Sequence, residues 1–193
     1  EIEPTTTAKL VAACGVDLGI KTLATLSTGE TFPSPQPYRQ SQTRLARLQK
    51  AASRKVKGSR NRHKANMKVA KQHAKTAKIR KDTLNKLTTH LAKNHSQVVI
   101  EDLNVSGMLA NHCLAKSIAD LGMYEFRRQL AYKCELYGSE LIIVNRFFPS
   151  SKTCSCCGHI QDMPLQERVF NCQQCRTSID RDLNASVNIS RLA

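Results

Sequence analysis

Hydrophobic residues along the chain fall into short apolar runs that alternate with longer segments of helical spacing. The first run covers residues 9–18 and ends at Gly19, and two shorter pieces follow at residues 22–27 and 31–32. Thr28-Gly29-Glu30 separates these two pieces. Apolar runs divided by such turn residues are typical of strands, so this part predicts a three-stranded meander. Residues 97–100 and 141–144 are two further compact runs and predict buried strands.

Two later segments carry apolar side chains at helical intervals. Residues 118–137 have them at Ile118, Leu121, Phe126, Leu130 and Leu136, and residues 182–192 have them at Leu183, Val187 and Ile189. The spacing predicts an amphipathic helix and a short final helix. Strands followed by helix, strand, helix, strand and helix predict an α/β protein whose mixed sheet has helices on its faces.

Basic residues are concentrated in one part of the chain. The 193 residues include 30 Lys and Arg against 15 Asp and Glu, which gives a formal net charge of +15. Eighteen of the basic residues lie in residues 39–93, where Asp82 is the single acidic residue. This balance favours a polyanionic partner, and nucleic acid is the first candidate. The length allows one domain with at most a small appended module.

The basic segment has helical periodicity. Six lysines follow one another at steps of three or four residues, which places them on one stripe of a helix: Lys64, Lys68, Lys71, Lys75, Lys78 and Lys81. A shorter helix is predicted around residues 44–51, and a break around Gly58 joins the two into a basic helical hairpin over residues 39–95. A solvated helix face or a disordered basic tail is the alternative.

The predicted contacts of this hairpin are mainly to phosphates. Aromatic residues make up 5% of the chain and Trp is absent, so stacking surfaces for bases are scarce. We therefore expect DNA binding that weakens steeply with salt. The candidate nucleic-acid-binding residues are Arg54, Lys55, Lys57, Arg60, Arg62, Lys64, Lys68, Lys71, Lys75 and Lys78.

No segment predicts a membrane span or a secretory signal. The longest apolar run, residues 10–16, has seven residues, whereas a membrane-spanning helix needs about 18. The chain opens Glu-Ile-Glu-Pro without an initiator Met, which is compatible with a partial chain, and without the basic and apolar regions of a leader. We expect a cytoplasmic protein without a membrane partner.

Three acidic residues stand at the ends of predicted elements: Asp17, Glu101 and Asp182. A carboxylate beside an apolar strand is costly to bury alone, but several that converge can share divalent cations. Oxygen ligands favour Mg²⁺ or Mn²⁺ over Zn²⁺. Two such ions about 3.5–4 Å apart can activate water and stabilise the leaving oxygen of a phosphodiester. The sequence therefore predicts a site that hydrolyses nucleic acid.

Each carboxylate also has a structural alternative. The alternative for Asp17 is a turn residue before Gly19. For Glu101 it is a charge at the edge of the sheet, with Asp102 sharing or replacing its role. Asp182 has the alternative of capping the final helix, because Asp is a favoured N-cap residue.

Four of the eight cysteines form two pairs, Cys154-x-x-Cys157 and Cys172-x-x-Cys175, with fourteen residues between the pairs. This spacing predicts one structural Zn²⁺ held by four thiolates, which leaves no position for a substrate water. The alternatives are Cys156 in place of Cys157, His159 in place of a thiolate, and disulfide pairing. Three further cysteines are expected to be small buried apolar side chains: Cys14, Cys113 and Cys134.

Five segments together resemble the TnpB family, whose members are encoded by bacterial and archaeal insertion sequences and resemble ancestors of type V CRISPR effectors. The match spans nearly the whole chain in the expected order. The segments are Gly-Val-Asp-Leu-Gly-Ile-Lys-Thr at 15–22, Lys-Gly-Ser-Arg-Asn-Arg at 57–62, Val-Ile-Glu-Asp-Leu-Asn at 99–104, Ser-Lys-Thr-Cys-Ser-Cys-Cys-Gly at 151–158 and Asp-Arg-Asp-Leu-Asn-Ala-Ser-Val-Asn-Ile at 180–189.

The resemblance implies a RuvC-like nuclease domain of the RNase H fold with a zinc ribbon inserted before the last catalytic carboxylate. It implies a nuclease core at residues 1–149 that includes the hairpin 39–95, a ribbon at 150–178 and a final helix at 179–193. Asp17, Glu101 and Asp182 match the catalytic residues of the family, with Asp180 a less suitable substitute for Asp182. We expect Asp17 to bridge two Mg²⁺ or Mn²⁺ ions, Glu101 to hold the ion that activates water, and Asp182 to complete the other ion site.

TnpB proteins cleave DNA under the guidance of an RNA from the transposon end. In this family, an N-terminal recognition region makes much of the contact with this RNA and with the target DNA, and we expect that region to be missing from this sequence. The resemblance therefore implies a guide RNA as partner of the longer protein. The main alternative is a non-catalytic nucleic-acid-binding fragment or a transposition regulator. A sugar-kinase or actin-like ATPase and a DDE-type transposase are two further alternatives.

Overall fold

The computed structural model of the chain describes residues 9, 11–164 and 166–193. The strands are β1 (Val11–Leu18), β2 (Thr22–Leu26), β3 (Thr31–Pro33), β4 (His95–Glu101), β5 (Glu140–Val144), β6 (Val169–Asn171) and β7 (Ser178–Asp180). The helices are α1 (Pro37–Ser53), α2 (Arg60–Asn94), α3 (Val105–Ala110), α4 (Ala115–Leu121), α5 (Met123–Tyr137) and α6 (Arg181–Ser190). Leu10, which belongs to the first predicted strand, lies outside the described residues.

Five strands form one mixed sheet in the order β3-β2-β1-β4-β5. β1, β2 and β3 pair antiparallel, as expected for the predicted meander. β4 lies parallel to both β1 and β5. The predicted α/β class with a mixed sheet is confirmed. β6 and β7 form a separate two-stranded sheet in the cysteine-containing part of the chain.

Helices cover both faces of the five-stranded sheet. Val98 and Ile100 of β4 belong to the main core, which also contains side chains of α2 and α5. Val99, between them, packs in a second cluster with Ile189 of α6. Because alternate residues of a strand point to opposite faces, this division places α2 and α5 on one face and α6 on the other. Burial on both faces explains why β4 is a continuous apolar run.

The predicted basic hairpin is confirmed as two packed helices, α1 and α2. α1 begins at Pro37, earlier than the periodicity indicated, because proline suits the first turn of a helix. α2 is 35 residues long, and the Ser59 side chain caps it by accepting a hydrogen bond from the Arg62 N–H.

Asp120, in α4, binds both helices of the hairpin. Its side chain is buried and accepts hydrogen bonds from the backbone N–H groups of Tyr38 and Arg39 at the start of α1. It also forms an ion pair with Arg80 of α2, at 3.1 Å between Nη2 and Oδ1. One buried carboxylate therefore fixes where both helices leave the core.

The helix predicted over residues 118–137 is two helices, α4 and α5, so that prediction is wrong in its continuity. Gly122 separates them with a φ of 72°, a left-handed conformation that ends one helix and that glycine adopts readily. The structure also contains α3, which the hydrophobic pattern did not indicate. The final helix was predicted over residues 182–192 and runs from Arg181 to Ser190.

Two of the three cysteines that were expected to be buried are buried, Cys14 and Cys134. Cys113 is exposed, so that prediction is wrong. It follows the short helix α3 in a turn before α4, where no sheet or helix covers it. None of the helices in the described part of the chain has the length and apolar character that a bilayer span requires.

Candidate metal centres and nucleic-acid interface

Asp17, Glu101 and Asp182 line one open cleft of ≈ 630 Å³. Asp17 lies near the end of β1, Glu101 is the last residue of β4, and Asp182 lies in the first turn of α6. Parallel pairing of Val16 with Ile100 brings the ends of β1 and β4 to the same edge of the sheet. All three side chains are half-buried. Residues 84 and 81 positions apart in the sequence thus meet at one place.

The pKa of Asp17 is affected by the other two carboxylates of the cleft. Burial, followed by the negative charges of Asp182 and Glu101, raises the pKa of Asp17 to about 7. Arg181 opposes this rise. A carboxyl group in such surroundings retains a proton near neutral pH unless a cation compensates the charge. Three converging carboxylates of this kind are a donor set that fits Mg²⁺ or Mn²⁺.

α6 reaches this position because Gly15 has no side chain. A Cβ at Gly15 would lie 2.0 Å from the Ser186 carbonyl oxygen and 2.5 Å from the Ser190 backbone nitrogen. The backbone of α6 therefore rests directly on β1, two residues before Asp17. This contact brings Asp182 to the cleft.

Two neighbouring carboxylates are engaged elsewhere. Asp102 accepts hydrogen bonds from Arg127 and Arg146, which lower the pKa of its carboxyl group below the ordinary value. Asp180 caps α6, because its Oδ1 accepts hydrogen bonds from the N–H groups of Asp182 and Leu183. The capping role considered for Asp182 therefore belongs to Asp180.

Five residues that sequence reasoning missed also line the cleft: Lys21, Arg39, Ser150, Arg168 and Arg181. The four basic side chains place positive charge beside the carboxylates, as a phosphate-containing ligand requires. Ser150 is buried and its Oγ donates a 2.6 Å hydrogen bond to Glu101 Oε1. Ser150 lies 49 residues from Glu101, so no local pattern could have paired them.

The four predicted cysteine ligands form a compact cluster. The Sγ atoms of Cys154, Cys157, Cys172 and Cys175 all lie within 4.8 Å of one another. Two of the Sγ–Sγ distances, Cys154 to Cys175 and Cys157 to Cys172, are 3.6 Å. Four sulfurs about 2.3 Å from a central ion form a tetrahedron with edges of about 3.8 Å, so the spacing fits Zn²⁺. Disulfides need about 2.05 Å, which these distances exclude.

The two cysteine pairs have the same backbone conformation. The N–H groups of Gly158 and Arg176 donate to the carbonyl oxygens of Cys154 and Cys172, at 2.9 and 3.0 Å. The residue after each pair adopts a left-handed conformation, with φ of 76° at Gly158 and 61° at Arg176. Side-chain and backbone hydrogen bonding with Thr177 lowers the pKa of Cys175 to about 6. The alternatives with Cys156 or His159 as ligands find no support in this geometry.

The hairpin presents its cations to solvent. Nine of the ten candidate residues are exposed, and Arg62 is half-buried. Lys64 and Lys68 border a groove between the two helices, and Lys68, Lys71 and Lys75 border a second groove with Arg44. Within residues 11–164 and 166–193, no acidic side chain lies at ion-pair distance from any of the ten.

Comparison with known proteins decides the family. Residues 1–112 match the family model described as "Probable transposase", OrfB_IS605. The chain belongs to this family. Residues 124–189 match a second model, the Cas12f1-like TNB domain, so the two OrfB_IS605 and TNB matches together cover most of the sequence.

Relatives of this OrfB_IS605 member include proteins named "Putative RNA-guided DNA endonuclease". A Streptomyces pristinaespiralis protein named "Putative RNA-guided DNA endonuclease" is 48% identical over 92% of this chain and 44% of its own length. The Escherichia coli K12 protein named "Putative RNA-guided DNA endonuclease InsQ" is 40% identical over 91% of this chain and 47% of its own length. The TnpB-like protein L79 of Acanthamoeba polyphaga mimivirus is 26% identical over 93% of this chain. The resemblance to TnpB is confirmed, and the chain spans less than half the length of these relatives.

Solved structures show the same fold. The cryo-EM structure of a Cas12f1-sgRNA-target DNA complex superposes with a TM-score of 0.65 at 19% identity, over 92% of this chain and 49% of that one. A CRISPR-Cas12f ternary complex gives a TM-score of 0.66 over 98% of this chain and 40% of that one. At such identity the likeness concerns the fold.

Proposed function

We propose that this OrfB_IS605 protein is the nuclease half of a TnpB-type DNA endonuclease that hydrolyses phosphodiester bonds with divalent metal ions. The observation that carries the proposal is the convergence of Asp17, Glu101 and Asp182 on one cleft, with the pKa of Asp17 raised by burial and by the other two charges. The strand order and the placement of these carboxylates support an RNase H-like fold of the RuvC type.

Each group in the cleft has a role in this proposal. Asp17, Glu101 and Asp182 would hold two Mg²⁺ or Mn²⁺ ions, which supply activation of water and stabilisation of the leaving oxygen. Arg39, Arg168 and their basic neighbours Lys21 and Arg181 would position the scissile phosphate. Hydrogen bonding by Ser150 keeps Glu101 oriented towards the cleft.

The cysteine cluster has a structural role in the proposal. Four thiolates complete the coordination of one Zn²⁺ and leave no position for substrate, so this ion would stabilise the ribbon rather than take part in hydrolysis. The proposed organisation is a nuclease core at residues 1–149, a ribbon at 150–178 and a final helix at 179–193.

The proposed partners are DNA and, for the longer protein, a guide RNA. The exposed cations of the hairpin form a surface suited to a phosphate backbone. Relatives named as RNA-guided DNA endonucleases and Cas12f complexes that contain guide RNA and target DNA support this assignment. A cytoplasmic location remains a prediction.

The proposal is tested by cleavage of labelled single-stranded DNA in Mn²⁺ by the zinc-loaded chain. Wild type should cleave and Asp17→Ala should not. Asp162→Ala is the matched control, because it removes one carboxylate whose side chain is 96% exposed and lies in the ribbon. It should cleave like wild type.

Two results would contradict the proposal. Cleavage that persists in Asp17→Ala would exclude the cleft as its source. Absence of cleavage in all three proteins, with DNA binding retained, would favour the second candidate, a non-catalytic nucleic-acid-binding fragment or transposition regulator. That candidate is favoured by one observation: among the described residues, no acidic side chain lies at ion-pair distance from the ten candidate cations of the hairpin, and binding through them needs no catalytic centre.

A further inference from the structure

Ser150 connects the ribbon to the carboxylate cleft. Its Oγ donates to Glu101 Oε1 at 2.6 Å, and its relative exposure is 6%. Ser150 lies at the start of the segment that leads into the first cysteine pair. A hydrogen bond to one carboxylate oxygen fixes the rotation of the group and leaves the other oxygen available for an ion.

Two asparagines on one face of α6 hold the same segment. Asn188 Nδ2 donates to the Ser150 carbonyl at 2.8 Å and to the Thr153 carbonyl at 2.6 Å. Asn184 Nδ2 donates to the Thr153 carbonyl at 2.7 Å, and its Oδ1 accepts from the Ser155 N–H at 2.8 Å. Asn184 is 0% exposed and Asn188 4% exposed. Buried amides that satisfy buried backbone groups are costly to remove, so this junction is rigid.

The junction joins three parts of the candidate nuclease. α6 carries Asp182 in its first turn and the two asparagines two and six residues later. The segment from Ser150 to Ser155 contains Cys154 and the serine that contacts Glu101. The position of the first cysteine pair and the orientation of Glu101 are therefore set by the same hydrogen bonds.

We propose that Ser150 is a positioning residue for Glu101 and that Asn188 holds Ser150 in place, so that the ribbon helps to shape the divalent-metal site. This inference rests on the proposed function, because it assigns Glu101 to that site. Partners that orient a metal ligand typically change metal affinity by about 10–100-fold when they are lost.

The test is a titration of the full chain with Mn²⁺. The EPR signal of free Mn²⁺ measures how much of the ion is bound. Ser150→Ala should weaken binding about tenfold, and Ser150→Thr, which keeps the hydroxyl, should restore part of it. Ser151→Ala is the matched control, because Ser151 lines the same cleft and, among the described residues, its hydroxyl makes no hydrogen bond to a carboxylate. It should bind like wild type.

Asn188→Ala supplies a second variant that does not touch Glu101. It should weaken Mn²⁺ binding while the zinc content, measured by a colorimetric chelator after unfolding, stays at the wild-type value. A thermal melt of each variant without Mn²⁺ shows whether it is folded at the temperature of the titration. The Mn²⁺ affinity of Ser150→Ala and Asn188→Ala should fall although both variants are folded at that temperature.

The outcomes separate the two proposals. If wild type and Asp17→Ala bind Mn²⁺ equally, the proposed metal site at the carboxylates is contradicted, and so is the positioning role of Ser150. If Asp17→Ala loses binding while Ser150→Ala and Asn188→Ala bind like wild type, the metal site stands and the positioning role is overturned. Weaker binding in Ser151→Ala equal to that in Ser150→Ala would also overturn it.

Discussion

At the scale of single residues, the carboxylate of Asp17 is held in conditions that favour its neutral form. Burial and the charges of Asp182 and Glu101 raise its pKa to about 7 from an ordinary value of 3.8. The folded state then binds the proton more tightly than the unfolded chain does. Without divalent ions, the stability that this proton contributes is fully present below pH 4 and is lost as the pH rises through 7.

This linkage predicts that Asp17→Asn stabilises the metal-free protein. Asn cannot ionise, so the free energy of unfolding should no longer fall between pH 4 and 7. A rise of the pKa from 3.8 to about 7 corresponds to about 4 kcal/mol. Because solvent screens this half-buried group, the expected gain of the variant over wild type at pH 8 is about 2 kcal/mol. Urea unfolding at pH 5 and pH 8, in buffer passed over a chelating resin, measures this difference. The exposed control Asp162→Asn should have the same pH dependence of stability as wild type. If Asp17→Asn also keeps the wild-type pH dependence, the raised pKa of Asp17 is not its cause.

The limits of sequence reasoning are also visible in single residues. The three carboxylates and the four cysteines could be predicted because each lies in a short segment whose type and spacing carry the chemical information. Ser150 and Asp120 could not, because their roles arise from contacts made 49 and 82 residues away. Gly122 is likewise invisible to hydrophobic periodicity, since a left-handed residue interrupts a helix without changing its apolar pattern.

At the scale of elements, the packing of α6 on β1 decides whether Asp182 reaches the cleft. The five strands of the mixed sheet were predictable because each one is a short apolar run bounded by turn residues. The side of the sheet on which α6 packs was not, because several apolar surfaces compete for a short helix. The missing side chain at Gly15 selects this position by allowing direct backbone contact.

Gly15→Ala should therefore displace α6. The added Cβ would lie 2.0 Å from the Ser186 carbonyl oxygen, and backbone atoms cannot yield as a flexible side chain can. We expect a loss of about 3 kcal/mol in unfolding free energy, together with weaker Mn²⁺ binding in the folded fraction. Gly58→Ala is the control, because its Cβ would meet no atom within 4 Å at a φ of 84°. It should cost about 1 kcal/mol and leave Mn²⁺ affinity unchanged.

The hairpin is the second element with a testable role. Lys68 and Lys71 are exposed and border the grooves between α1 and α2. Replacing both by Ala should reduce the slope of log affinity for DNA against log salt by about one to two units. The control replaces Arg128 and Lys152 by Ala. This double variant loses the same amount of positive charge, but the two residues lie outside the hairpin and are paired with Glu125 and Asp162. Equal slopes in the two double variants would remove this surface from the DNA interface.

At the scale of the whole molecule, the chain combines a sheet that is stabilised by apolar packing with a ribbon that has a small core of its own. The main core contains buried residues of three strands and three helices. The buried cluster of the ribbon consists of Cys154, Met163, Phe170 and Cys172, with Ile179 packed against it. Two of these four buried residues are candidate zinc ligands, so bound Zn²⁺ would contribute much of the ribbon's stability.

Removal of zinc should therefore unfold the ribbon and leave the rest of the chain folded. The protein is treated with a zinc chelator, the chelator is removed, and amide hydrogen exchange is measured. The backbone amides from Lys152 to Asp180 should lose protection, and those of β1, β4 and α2 should keep it. Mn²⁺ binding should weaken about tenfold in the same sample, because Ser150, which donates to Glu101, is continuous with the segment that Asn184 holds at Ser155. Re-addition of Zn²⁺ should restore both. Full protection of the ribbon without zinc, or loss of protection throughout the sheet, would show that the two parts are not coupled in this way.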